Sequence, residues 1–81
     1  MKYRINYHAS ASSQVPGLPE DAFLALVRTL ITVGDDPWST GIPDPDDPDY
    51  RQAVFGGLGL VLYYVDDTAG VVNVYDVTWA G

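Results

Sequence analysis

Eighty-one residues, 47% of them hydrophobic, suffice for one small folded unit and are too apolar for a disordered chain. Four basic against eleven acidic side chains give a net charge of −7, which repels a phosphate backbone and disfavours autonomous binding to nucleic acid or to an anionic membrane. With no cysteine, neither a disulfide nor a thiolate-held metal staples the fold, so packing alone must hold it.

The start of the chain lacks the charged, apolar and small-residue regions of a secretory signal, and no apolar run approaches the ~20 residues that cross a bilayer. A soluble, cytoplasmic protein is the expectation. Residues 2–8 alternate, with Tyr3, Ile5 and Tyr7 on one side and Lys2, Arg4, Asn6 and His8 on the other, as in a half-buried strand. Ala9 to Gln14 is small and polar without a usable period and reads as a loop or a vestigial helical turn, closed by Val15-Pro16-Gly17. Pro19, whose φ suits a first helical position, and Glu20 and Asp21, set against the positive end of a helix dipole, predict a helix start. Phe23, Leu26, Val27, Leu30 and Ile31 form its apolar stripe, opposite Asp21, Arg28, Thr29 and Thr32, and Gly34 is the expected left-handed terminator.

From Asp35 to Asp49, four prolines interleave with aspartates, and neither helical period nor strand alternation survives. This is an expected surface connection, pinned onto the fold by its only large apolar residues, Trp38 and Ile42. Three runs of β-branched and aromatic residues between Tyr50 and Trp79 then predict an antiparallel meander, broken at Gly56-Gly57 and at Asp66 to Gly70. Both faces of the middle run are apolar, which places it inside the sheet. In the last run Asn73 and Asp76 fall in opposite registers, the mark of a bulge or of a partly wet edge. The predicted class is α+β: an N-terminal strand, one main helix and a three-stranded antiparallel meander in a single domain, residues 1–81, with 35–49 as an acidic, proline-rich surface loop.

The helix ending in Gly34-Asp35-Asp36-Pro37, the variable connection, Tyr50-Arg51, the LVLYYVDD run from Leu60 to Asp67 and VVNVYDV from Val71 to Val77 together resemble the RelE/ParE superfamily of small bacterial toxins over roughly residues 1 to 79. The resemblance implies a strand and helical hairpin followed by a meander. In members that cut messenger RNA on the ribosome, it implies several Lys and Arg side chains on the meander to neutralise the scissile phosphate while charge builds on oxygen. Arg51 matches the first such position and is the candidate catalytic residue. Ala53, Leu60 and Trp79-Ala80 stand where further basic residues are usual, so most of the nuclease charge is missing.

Asp44, Asp46, Asp47 and Asp49 are the candidate partner-binding residues, a negative patch suited to a basic protein. As a calcium loop they fail, because an EF-hand starting at Asp44 wants Gly at its sixth position and Glu at its twelfth and finds Asp49 and Phe55. No metal or other cofactor is expected. His8, the one histidine, lies near Ser10, Ser12 and Ser13 without an orienting acid and reads as a surface residue. Tyr50 and Tyr63 read as core or cross-strand packing, and Gly56-Gly57 and Asp66-Asp67 as turns. The leading expectation is a non-catalytic, toxin-like protein acting through a basic protein or a cognate antitoxin. Its alternatives are an active toxin, either a messenger RNA endoribonuclease or a gyrase inhibitor, and an acidic antitoxin or immunity-type binder.

Overall fold

A computed structural model describes residues 2–81; residue 1 lies outside it. Strand β1 (Arg4–Tyr7) leads into a short helix α1 (Ala9–Gln14), a 3₁₀ turn (Val15–Gly17) and the long helix α2 (Glu20–Asp35). After it come a two-residue strand β2 (Ile42–Pro43) and the meander β3 (Tyr50–Phe55), β4 (Gly59–Asp66) and β5 (Val71–Trp79). The described strands form one sheet in the order β1-β5-β4-β3-β2, with β1 parallel to β5 and the other neighbours antiparallel. The α+β class, the N-terminal strand, the main helix and the meander are as the sequence predicts.

β4 lies between β3 and β5, as its two apolar faces require. Its Val61, Tyr63 and Val65 are buried beneath the helices, whereas Leu60, Leu62 and Tyr64 remain half-buried on the other face. The Gly56-Gly57 turn joins β3 to β4 with both glycines at positive φ, 60° and 78°, where a side chain would be strained. β5 carries the expected bulge: Leu62 faces Asp76 while Tyr63 faces Val74, leaving Tyr75 as the extra residue. It is an interior strand, not an edge, because β1 covers its first half.

Beyond the end of β1 that edge of β5 is satisfied by α1. The Gln14 side-chain oxygen accepts the Val77 N–H at 2.8 Å, and the Ser10 hydroxyl donates to the Tyr75 carbonyl at 2.8 Å. Ala9 to Gln14 is thus a full helix of six residues, not a loop, and its small Ala11 is fully buried against the strand.

α2 buries Ala22, Leu26, Leu30, Val33 and Gly34. The stripe predicted from the sequence is rotated: Phe23 and Ile31 are exposed, and Val27 is only half-buried. Two neighbouring rows of this helix are apolar, and the row holding the small Ala22 and Gly34 allows the closest approach to the sheet. Gly34 does not terminate the helix in a left-handed turn; it lies within the last turn, and its carbonyl accepts the Tyr3 N–H at 3.0 Å. The helix ends at Asp35, and Asp36 organises the exit by accepting the Ser39 hydroxyl at 2.7 Å. That bond holds the Asp36 carboxyl below the ordinary carboxylate range, against a smaller opposing effect of burial.

Candidate functional site on the open face of the sheet

The helices cover one face of the meander and leave the other open. Arg51 and Ala53 point to the helix side, together with Phe55, on which the Trp79 ring stacks at 5.8 Å. Of the strand positions 51, 53, 60 and 79, where the toxin resemblance calls for basic residues, Leu60 looks onto the open face, and it is half-buried there.

Arg51 is 8% exposed, and its guanidinium serves the preceding connection. Nε donates to the Thr40 carbonyl at 3.1 Å, and Nη2 donates to the carbonyls of Trp38 at 3.1 Å and Gly41 at 3.5 Å. The Tyr63 hydroxyl adds a bond to the Thr40 carbonyl at 2.8 Å. A chain segment with three irregular carbonyls near the sheet needs donors, and the planar fork of an arginine supplies several from one side chain. Pro37, at the start of the same segment, is fully buried. Trp38 and Ile42 are therefore not the pins that the sequence suggests. Trp38 keeps an exposed ring and reaches the fold through its indole N–H, donated to the Tyr3 hydroxyl at 3.2 Å, while Ile42 is 64% exposed and contributes its backbone to β3.

The connection between 43 and 50 is exposed throughout. Asp44 and Asp47 accept the N–H groups of Asp46 at 2.8 Å and Asp49 at 3.1 Å, so two successive aspartate turns fold the segment tightly before Tyr50. Asp44 and Arg51 both line one groove of about 240 Å³; Asp49 lines a second beside it, with Asp66 and Asp67, and Asp46 and Asp47 belong to neither. The structure thus brings two of the candidate residues together and spreads the rest along the rim. Among the described residues, no group of three or more His, Asp or Glu side chains is placed to hold a metal ion.

Between the two grooves stands an aromatic cluster. Tyr50 stacks on its cross-strand partner Tyr64 at 5.2 Å, and Tyr75, brought there by the bulge, meets Tyr50 edge-on at 5.9 Å and 67°. His8 closes the cluster, its ring 5.6 Å from Tyr64 and its Nε2 3.4 Å from the Tyr64 hydroxyl. Tyr50 packs cross-strand, as the sequence predicts, but on an open face, whereas Tyr63 is in the core. The Tyr50–Tyr64 pair could have been found from the hairpin register alone; Tyr75 could not, because the bulge decides where it points.

Four phenols of the fold are held above their ordinary value of 10.0: Tyr3 through its bond to Asp67, Tyr7 through burial, Tyr63 through burial, partly opposed by Arg51, and Tyr75 through burial reinforced by Tyr50, Asp44 and Asp76. A folded value above the unfolded one favours the protonated phenol, so the stability these groups supply is complete below about pH 10 and is lost as pH rises through the folded values. Urea midpoints should hold level from pH 7 to 9 and fall above 10, with the tyrosinate absorbance rising in step with unfolding; midpoints flat to pH 11.5 would contradict these placements.

An α+β fold of this order, with an open meander face, is the fold of the RelE toxins. In the toxin–antitoxin complex RelBE2 of Mycobacterium tuberculosis the matched chain gives a TM-score of 0.83 at 21% identity, over 98% of this chain and 99% of that one. The isolated Escherichia coli RelE toxin gives 0.86 at 21% identity, over 98% and 85%. The archaeal RelE–RelB complex of Pyrococcus horikoshii gives 0.79 at 18% identity, over 100% and 98%. No protein-family model matches the chain, and no curated protein matches it either.

Proposed function

We propose that this chain is a toxin–antitoxin-type protein that acts through a basic protein partner and does not cut RNA. The observation that carries this reading is the orientation of Arg51. It is the only Lys or Arg between Tyr50 and Trp79, and its guanidinium is directed at the carbonyls of Trp38, Thr40 and Gly41 on the helix side of the sheet. A phosphate on the open face would meet tyrosines and aspartates, without the clustered positive charge that phosphoryl transfer needs. The partner is a protein because similar folds are found in complexes with RelB antitoxins, and basic because Asp44, Asp46, Asp47 and Asp49 project a negative field that draws in opposite charge.

Added to a translating bacterial extract, the purified protein should leave ribosome-bound messenger RNA intact. Cleavage within codons, mapped by primer extension, would overturn the reading and restore a ribonuclease.

A further inference from the structure

We propose that the groove bounded by Tyr50, Tyr75 and Asp44 is a receptor for an arginine side chain of the protein partner, an inference that rests on the partner reading above. The walls are aromatic and nearly perpendicular: Tyr50 and Tyr75 meet at 67° with centroids 5.9 Å apart, and Tyr64 backs Tyr50 at 5.2 Å. A cation seated there lies over one ring face, where the quadrupole is attractive, while the second ring excludes water.

The rim supplies the charge. Asp44 lines the groove, oriented by the Asp46 N–H at 2.8 Å. Asp76 flanks Tyr75 and is itself fixed by the Gln14 amide at 3.1 Å and the Thr78 hydroxyl at 3.2 Å. Burial first, and then Tyr50 and these same two carboxylates, hold the Tyr75 phenol above its ordinary value and disfavour its ionisation, so their field reaches the ring. Among the described residues the one cation lining this groove, Arg51, donates to carbonyls on the helix side and does not compete. At about 240 Å³ the groove is smaller than the ~300–1,000 Å³ of sites for whole small molecules and suits one side chain. Arginine fits better than lysine. A planar guanidinium stacks on a ring and still offers in-plane donors to Asp44 and to Gln52, another lining residue, whereas an ammonium is compact and strongly hydrated.

The test uses the full chain at low salt and three peptides, acetyl-Arg-Gly-Arg-Gly-Arg-amide and its lysine and citrulline counterparts, with binding read from the ring-proton resonances of Tyr50 and Tyr75. The arginine peptide should give saturable shifts and bind about fivefold or more tighter than the lysine peptide, which carries the same charge. Tyr75→Leu should remove that preference while leaving the backbone amide spectrum in place, and Asp44→Asn, at an exposed site, should weaken arginine binding without unfolding. Equal affinity for arginine and lysine, no saturable shift, retention of the preference in Tyr75→Leu, or tighter binding of hexauridine at the same rings would each overturn the proposal. Those outcomes leave the partner reading standing; messenger RNA cleavage in the extract would remove that reading whatever the peptides do.

Discussion

Leu26→Asp gives a chain without a cooperative unfolding transition. Leu26 is completely buried between α2 and the sheet, among Leu30, Val61 and Val74 of the same core. Removing a buried leucine costs about 2–5 kcal/mol, and placing an unpaired carboxylate in the gap adds several more. The sum is comparable with the entire ~5–15 kcal/mol that holds a small fold. The matching control is Ile31→Asp on the same helix, one apolar row away and open to water, which should change stability by about 0.5 kcal/mol or less. Thermal melts followed by circular dichroism distinguish the two. A folded Leu26→Asp, or a collapse on Ile31→Asp, would mean that the helix presents the other row to the sheet.

Arg51→Ala lowers the melting temperature by about 10–20 °C without altering the fold. The variant leaves the Thr40 and Trp38 carbonyls without their charged donor, and bonds of that kind are worth about 1.5–3 kcal/mol each before partial rescue by water at the exposed end of the segment. A net loss of about 2–4 kcal/mol converts to that shift for a chain of this size. Arg51→Lys should recover little, since one ammonium cannot reach carbonyls spread over 38–41 as a fork does. Hydrogen exchange should quicken in residues 38–43 before anywhere else. A variant as stable as the parent would show that Arg51 is not what holds the connection, and would free it for a role on a substrate.

The features that the sequence alone made legible are local ones. The hairpin at Gly56-Gly57 follows from backbone freedom, the central place of β4 from apolar residues on both its faces, and the bulge in β5 from the conflicting registers of Asn73 and Asp76. What stayed hidden depends on the path of the chain between elements. The periodicity of α2 contains two apolar rows, and only the sheet selects one of them. The destination of Arg51 is a set of carbonyls ten to thirteen residues earlier, in a stretch with no period at all. The aromatic cluster joins residues as distant as His8 and Tyr64, which no local pattern connects.

The parallel pairing of β1 with β5 also governs when this protein can fold. Arg4 to Tyr7 lie beside Val71 to Val74, so the first strand has no neighbour until the last has been synthesised, and β4 has only one. Until then the core lacks Val72, Val74 and Val77, and one edge of β4 stays unpaired. Loop closure over nearly the full length must come before the sheet repays it, which slows folding and lengthens the time that apolar surface is bare. The nascent chain thus reaches this shape only once Val71 to Val74 have emerged, and a message truncated before Val71 encodes no partial version of it.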